Sequence, residues 1–410
     1  MDSQIEIAIR HEISVNRLAA NIVKFRIDPA FVDISELVRR LLDDYGQAMS
    51  SRDLEALRKR TRKALIKALD DMWAASTSDL KDFSEYEAEY HASTIAALVG
   101  AQALPVSAAA LAKNYDRPLL LVSGDSKTIG LWPEYVAGNK SAVLDLVDSE
   151  IRSGRASGMT LGQMITRLVG TKKKGYTDGL IVSKARKWAE NLVRTGTSHY
   201  ANAARDAVAD ALKKHIEGKV FSNALDNRTT RQCLHHGQQA HQGKIYKLND
   251  PTAPRIPLHF NCRSIWLFKL YGVDPFTGKR ASLGGKSSKD AAEEYAMREQ
   301  ALRDKRELRA QQRADGKDTP TTPSKVRYTG KKDATIFDPK QIDANISPQK
   351  FMESQPDWFL ESALGKTRAK LFRKGGLPIE KFTDVMGNPL TLKQMRALDE
   401  YDYYFRKAGL

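Results

Sequence analysis

The chain has 410 residues, of which 41% are apolar, and a formal net charge of +16. This length predicts two or three domains with sizeable cores, and only two cysteines exclude a secreted disulfide scaffold. The amino terminus shows no signal-peptide pattern, and no apolar run approaches the ~20 residues of a membrane span. We therefore expect a soluble protein, made in a cytosol, with no membrane partner.

Residues 1–100 are expected to form an N-terminal helical region, because apolar residues recur at spacings of three and four. Asp28-Pro29 marks the boundary between the first two helices. A basic cluster beside the third apolar stripe comprises Arg58, Lys59, Arg60, Arg62, Lys63 and Lys67. It is either a solvated helix face or a docking surface for an acidic partner or DNA.

Residues 101–217 are expected to form a central helical region. A short strand is predicted from Arg117 to Val122, followed by a turn. Thr160 is placed to cap a helix, and a long helix is predicted from Leu180 to Ile216.

Residues 218–271 are expected to form a small α+β module with short strands near Val220, Ile245 and Ile265. Residues 272–345 are predicted to be a charged linker, with one exposed helix at 291–313. Residues 346–410 are expected to form a C-terminal helical module whose last helix starts at a capping box that begins at Thr391. The predicted fold class is therefore mainly α.

The small module concentrates side chains that bind metal. Both cysteines and four of the eight histidines lie between positions 233 and 262. Cys233-x-x-His236 and His259-x-x-Cys262 form two doublets, each able to reach one ion from a tight turn. Two such doublets predict a closed Cys2His2 site of the structural zinc type.

Other interpretations of these residues remain open. The two thiols are equally suited to packing in a core, with the histidines in hydrogen bonds. A disulfide is a third interpretation, although synthesis in a cytosol disfavours it. His235 or His241 is able to take the place of His236 in any ligand set.

A separate cue lies just before the first doublet. Asp226, followed by Arg228 and two threonines, is placed to cap a turn through its carboxylate. Arg228 and Arg263 are each expected to pair with Asp226 as a planar fork, which would hold the two halves of the loop together. This chemistry is structural.

The same residues carry a family resemblance. The pattern is an Asp-x-Arg-Thr start, a Cys, a Gly, a gap and then Pro-x-His-x-x-Cys-Arg. It is met here by Asp226, Arg228, Thr229, Cys233, Gly237, Pro257, His259, Cys262 and Arg263. The pattern resembles that of the phage Mu F-like minor head proteins, the head morphogenesis family. Upstream, Arg194-Thr195 and the run from Ala201 to Arg205 are similar to the helix before the family's pattern. The resemblance covers roughly 150–271.

The resemblance implies a structural minor head protein of a tailed bacteriophage. Such a protein is present in few copies per head, contacts the portal and other head proteins, and acts in head assembly. It is located in the virion at the portal vertex, and in the host cytoplasm during assembly. The basic charge adds packaged DNA, bound without sequence preference, as a candidate partner. Many family members carry a further Cys where this chain has Thr230, which weakens the metal expectation.

No catalytic residues are predicted. Gly272 to Arg280 and Gly285-Lys286-Ser287 each fail the spacing of a phosphate-binding loop. The alternative to a structural protein is a metal- or cysteine-dependent hydrolase that uses Cys233, His259 and Cys262. A third interpretation is a DNA-binding protein whose contact surface is organised by zinc.

Overall fold

The fold is taken from a computed structural model of the chain. The residues that it describes are 4–44, 50–100, 102, 106–115, 117, 119–123, 126–174, 176–226, 228–273, 275–276, 279–281, 341–343 and 345–410. The predicted fold class is confirmed, because helices dominate and the strands form only small two-stranded sheets. Among the described helices, none combines the length and the apolar content needed to cross a bilayer.

The chain divides into two compact units. The larger unit contains Arg10–Val220 and Ile245–Asp274, and the smaller unit contains Met1–Ile9, Phe221–Lys244 and Pro275–Leu410. The predicted small module at 218–271 therefore contributes to both units. Composition and periodicity do not show which core a short segment packs against, and this is the reason for the difference.

Up to the small module, the elements are α1 (Gln4–Ile22), α2 (Asp28–Asp43), α3 (Ser51–Val99), α4 (Ala108–Tyr115), β1 (Leu119–Ser123), β2 (Ser126–Gly130), α5 (Trp132–Ala156), α6 (Leu161–Leu168) and α7 (Arg186–Ala211). Strands β1 and β2 pair antiparallel, with Leu119 opposite Gly130. Turns of π-helix, Val23–Ile27 and Ile181–Ala185, lead into α2 and α7. The predicted helix from 180 to 216 is therefore α-helical only over Arg186–Ala211, and a strand begins at Ile216.

The remaining elements are β3 (Ile216–Ser222), α8 (Arg231–His241), β4 (Ile265–Leu270), β5 (Lys279–Ala281), β6 (Gln341–Asp343), α9 (Pro348–Glu353), α10 (Asp357–Leu364), α11 (Lys366–Lys370), α12 (Leu392–Arg396) and α13 (Asp402–Ala408). Strands β3 and β4 form one sheet, and β5 and β6 form another, antiparallel one. The helix predicted at 291–313, with most of the predicted linker, lies outside the described residues.

Helices α3 and α7 make the most extensive contact in the larger unit. Their apolar faces bury a continuous core, which α2, α5 and α6 complete. Trp132 belongs to this core. Its ring stands edge-on to Trp73 at 6.1 Å and to Tyr200 at 5.9 Å, and its indole N–H donates to Thr77 at 3.2 Å. Edge-to-face aromatic packing of this kind adds to the stabilisation from buried area.

The smaller unit has a core of its own. Phe351, Leu360, Leu371 and Phe382 are buried there. Leu225 and Leu234, from the segment around α8, pack into the same core. Residues 221–244 thus depend on side chains that lie more than 100 positions later in the chain.

Two predicted helix caps are confirmed, although the helix that begins after Thr391 is followed by one more, α13, and is not the last. The Thr160 side chain accepts from the Gln163 N–H, and the Thr391 side chain accepts from the Gln394 N–H. In each case the glutamine side chain returns a bond to the threonine N–H, which completes a capping box. Both signals are local in sequence, so a single chain is enough to read them.

Substitution of Gly196 tests how closely α7 packs against the Trp132 ring. A Cβ added there would lie 2.7 Å from Cζ3 of Trp132 and 3.1 Å from Cδ1 of Leu80, so the rigid indole would have to move. We expect Gly196→Ala to lower the free energy of unfolding by about 1–3 kcal/mol, measured by urea unfolding. Gly138→Ala is the matched control, because a Cβ at Gly138 meets no atom within 4 Å inside α5. That variant should gain roughly 0.5–1 kcal/mol, and equal losses in both would contradict the packing explanation.

Candidate functional site

The turn from Asp226 to Thr230 is held by its own side chains. The Asp226 carboxylate accepts from the backbone N–H of Arg228 at 2.8 Å. The buried Thr229 hydroxyl donates to the Ala224 carbonyl at 2.6 Å and accepts from the Asp226 N–H at 3.1 Å. Thr230 then caps α8 by accepting from the Cys233 N–H. The predicted turn is therefore present, and it positions the first residue of α8.

The predicted fork between Arg228 and Asp226 is wrong. The Arg228 side chain is exposed, and its backbone N–H rather than its guanidinium reaches the carboxylate. Asp226 points back into its own turn, as short acidic side chains at turns commonly do, so a nearby backbone donor meets it first. Arg263 belongs to the larger unit, and its pairing stays a prediction.

Gly237 lies in α8 where that helix meets the segment after β3. A Cβ added at Gly237 would fall onto the Asn223 side-chain amide, 2.8 Å from its Cγ. The Asn223 amide nitrogen donates to the Ala224 carbonyl at 3.1 Å, so the amide is held in place. The glycine of the family-like pattern thus serves close packing of α8 on the preceding segment.

Cys233 and His236 both lie within α8, where a tight turn was expected. The helix is polar and carries few apolar residues, so the sequence shows no helical spacing of apolar residues there. Both side chains are buried, and their spacing of three residues places them on one face. The His236 ring lies 5.3 Å from the Phe221 ring and 5.1 Å from the His235 ring.

His235, also in α8, is hydrogen-bonded to the C-terminal part of the smaller unit. The Thr383 hydroxyl donates to the Glu380 carbonyl at 2.8 Å, so the Nδ1–H of His235, also 2.8 Å away, donates to Thr383. The buried Nε2 of His235 has no hydrogen-bond partner among the described residues. Burial lowers the pKa of His235, partly offset by Glu380, which favours a neutral ring. This residue therefore ties α8 to the C-terminal part of the smaller unit.

The second doublet lies in the larger unit, on a loop fastened to α7. The Asn261 N–H donates to Thr195 Oγ1 at 3.1 Å, and its side chain donates to Asn191 at 3.2 Å. His259 and Cys262 are hydrogen-bonded to each other. Burial lowers the pKa of His259, but the charge and hydrogen bond of Cys262 outweigh it, so the net shift is upward.

The remaining pattern residues of this loop are Pro257 and Arg263. Pro257 is buried and follows a cis peptide bond from Ile256. Of the four predicted ligands, Cys233 and His236 are assigned to the smaller unit and His259 and Cys262 to the larger one, where each of the latter two offers one ligand atom within 4.8 Å of the other. Neither cysteine forms a disulfide. Zinc binding therefore stays a prediction.

A buried polar network, which the sequence did not reveal, lies inside the larger unit. Arg205 of α7 is almost fully buried, and its Nη2 lies 3.3 Å from the Glu12 carboxylate and 3.7 Å from that of Glu87. Its Nε donates to His91 Nε2 at 2.9 Å. His11 completes the network by pairing with Glu87, and so α1, α3 and α7 are joined. The sequence analysis singled out Arg205 only as the end of the family-like run from Ala201. Its partners lie far away in the chain and could not be identified from the sequence.

Protonation within this network follows from burial and charge. Burial opposes ionisation of Glu87, but hydrogen bonds from His11 and His91 and the charge of Arg205 outweigh it, which lowers the Glu87 pKa to about 2. Burial, reinforced by Arg205, lowers the pKa of His91 to about 4. Burial also raises the pKa of Glu12. Near neutral pH, Glu87 is thus charged and His91 is neutral.

His11, Glu87 and His91 each offer one ligand atom, and these atoms lie within 4.8 Å of one another. Arg205 nevertheless donates to His91 Nε2, which occupies the lone pair that a metal would need. Its positive charge also opposes a cation at this point. The arrangement is better explained as a structural network that compensates a buried guanidinium.

The basic cluster on α3 is partly neutralised within the larger unit. The Arg58 fork donates to the Asp148 carboxylate at 2.6 and 3.0 Å, and its third donor reaches Glu55. Arg62 lies 3.6 Å from Asp145. Arg60 lies 3.8 Å from Asp44. These contacts favour the interpretation as a solvated helix face, on which Lys59, Lys63 and Lys67 are also exposed.

Comparisons of the chain with models of known protein families, with curated proteins and with solved structures return no match.

Thr229 provides a test of the Asp226 turn. Thr229→Val keeps the shape of the side chain but removes the acceptor of the buried Asp226 N–H and one of the two donors to the Ala224 carbonyl, the other being the Asn223 amide. We expect a loss of about 1–3 kcal/mol in the free energy of unfolding. Thr252→Val removes a similar but exposed bond to Asp250 and should change stability by less than about 0.5 kcal/mol. The explanation fails if both variants lose the same amount, as measured by urea titration.

Stability should also depend on pH through two buried histidines of the larger unit. Burial, reinforced by Arg117, lowers the pKa of His199 to about 3, and that of His91 is about 4. The unfolded chain takes up these protons near pH 6.5 while the folded chain does not, so stability falls as the pH drops from 6.5 towards 4. Each group contributes a slope of at most about 1.4 kcal/mol per pH unit.

The variant His199→Gln isolates one of these protons. Its slope between pH 6.5 and 4.5, followed by tryptophan fluorescence in urea, should be shallower than that of the unaltered chain by about one proton. Glu12 acts in the opposite direction, because its raised pKa makes the folded chain take up a proton before the unfolded chain does. This contribution is the same in both proteins and therefore cancels in the comparison of their slopes. Identical slopes for the two proteins would contradict the assignment.

Proposed function

We propose that this chain is a structural minor head protein of a tailed bacteriophage, which contacts the portal and other head proteins and acts in head assembly. One observation carries the proposal beyond the sequence resemblance. Several polar residues of the resemblance, in the turn before α8 and on α7, use their side chains to tie the chain to itself, as a structural role requires. On this proposal the protein resides in the virion, at the portal vertex.

The first part of that support is the turn before α8. Asp226 and Thr229 hold the turn through backbone and side-chain bonds, and Gly237 permits close packing on Asn223. Each of these residues maintains the local geometry of the smaller unit. A sequence pattern made of such residues is expected in a structural protein.

The second part is α7. Thr195 donates to the Asn191 carbonyl and accepts from Asn261, which fastens the second half of the pattern to this helix. Arg205 is engaged by Glu12 and His91 in the core. The upstream half of the resemblance is therefore also occupied by internal contacts.

The alternative, a hydrolase that uses Cys233, His259 and Cys262, is favoured by the hydrogen bond between His259 and Cys262. The Cys262 side chain is 2% exposed and that of Cys233 is 3% exposed, however. A reactive cysteine normally lies in a partly exposed, electropositive site. Burial of both thiols therefore favours the structural proposal over cysteine-dependent hydrolysis.

Particle composition tests the proposal directly. Virions purified from cells that produce this chain should contain it, at a low and constant ratio to the portal protein, when they are quantified by mass spectrometry. Thr229→Val should lower that ratio, because the turn before α8 is weakened, whereas Thr252→Val should leave it unchanged. Presence in the lysate together with absence from purified virions would refute the proposal.

Two cysteine variants separate the structural proposal from the hydrolase. Cys262→Ser and Cys233→Ser should change thermal stability or entry into virions, because both side chains are buried. A hydrolase would instead lose turnover while circular dichroism and the melting temperature stayed as in the unaltered chain. That second outcome would favour the alternative.

A further inference from the structure

Two arginines of the smaller unit converge on a single carbonyl oxygen. Nη1 of Arg231, the first residue of α8, donates to the Leu390 carbonyl at 2.8 Å. Nη2 of Arg368, in α11, donates to the same oxygen at 2.9 Å. Both side chains are partly buried, so the two positive charges lie close together in a region with limited access to water.

No carboxylate compensates these charges within the part of the chain that the structure describes. Two other arginines of the same unit are paired with acids, since Arg373 lies 3.2 Å from Asp357 and Arg406 lies 3.0 Å from Asp402. Arg231 and Arg368, by contrast, have carbonyl oxygens as their hydrogen-bond acceptors. Burial and the neighbouring charge of Arg368 lower the pKa of Arg231 to about 10, and no acidic group acts against this shift.

One guanidinium donor remains unused at this point. Nε of Arg368 is buried and has no hydrogen-bond partner among the described residues. Leaving a buried charged donor unpaired is costly, and an incoming acceptor would recover that cost. A guanidinium offers a planar fork of donors that matches two oxygens of one phosphate. The N-terminal end of α8, on which Arg231 lies, adds a further positive potential.

We propose that Arg231 and Arg368 form a binding site for a phosphate group, either free phosphate or the phosphodiester of a nucleic acid. Two adjacent guanidiniums without an acid provide the charge and the paired donors that a phosphate group needs. The site does not depend on the proposed role in phage heads, because phosphate binding is measured on the purified chain without any phage component.

The first experiment uses the full chain and inorganic phosphate. Sodium phosphate should raise the melting temperature by about 3 °C at concentrations well above its dissociation constant, and sodium chloride or acetate of equal ionic strength should not. Broadening of the phosphorus NMR signal should saturate over the same concentration range. Equal effects of phosphate, chloride and acetate on the unaltered chain would overturn the proposal, whatever the variants do.

Variants then locate the site. Arg368→Gln and Arg231→Gln should each weaken phosphate binding about tenfold, because one charge-assisted contact is lost. Arg373→Gln is the matched control, since Arg373 lies in the same unit but is already paired with Asp357, and its affinity should be unchanged. Arg368→Lys keeps the charge without the fork and should fall between. The same affinity in Arg368→Gln and in the unaltered chain would overturn the assignment.

A DNA duplex of ~20 base pairs distinguishes the two sources of phosphate. If the phosphodiester is the ligand, inorganic phosphate should displace the duplex at constant ionic strength, and Arg231→Gln should weaken duplex binding. If free phosphate is the ligand, phosphate should bind with unchanged affinity in the presence of the duplex. Each of these results supports the proposal and identifies its ligand, while failure of inorganic phosphate to bind would overturn it, as in the first experiment.

Discussion

Burial of the Arg205 guanidinium is the constraint on which the larger unit depends. A buried charge without compensation costs several kcal/mol, so carboxylates must accompany it into the core. Glu12 and Glu87 meet this requirement, and His91 accepts a further hydrogen bond. Because these partners come from two other helices, the requirement fixes how α1 and α3 are placed against α7. The apolar contacts around Trp132 then complete a core whose geometry is already restricted.

The same principle distinguishes the polar residues of the smaller unit. His235 is bonded to Thr383 and favours its neutral form, so its burial leaves no charge uncompensated. Arg231 and Arg368 remain charged and share one carbonyl oxygen. A structural histidine and a candidate anion site thus lie on the same helix, and the difference between them is whether a net charge remains. Residue type alone does not make this distinction.

Local features were predictable from the sequence, and distant pairings were not. The capping boxes at Thr160 and Thr391 involve residues three positions apart, so a short stretch of sequence is enough to predict them. The helical class and the turn at Asp226 were predictable for the same reason. Helix α8 was missed because its residues are mostly polar and give little apolar periodicity. The partners of Arg205 lie 114 and 193 positions away, and no single sequence reports such a pairing.

The smaller unit is built from segments that are far apart in the chain, so the order of synthesis affects when its core can form. Leu225 and Leu234 pack with Phe351, Leu360 and other residues that a ribosome adds much later. At about 5–20 residues per second, this segment waits several seconds or longer for its apolar partners. During that interval the larger unit already has its own helices available for folding, whereas α8 lacks the side chains that would cover it. A nascent chain of this protein therefore leaves Leu225 and Leu234 without their C-terminal core partners until those residues have been synthesised.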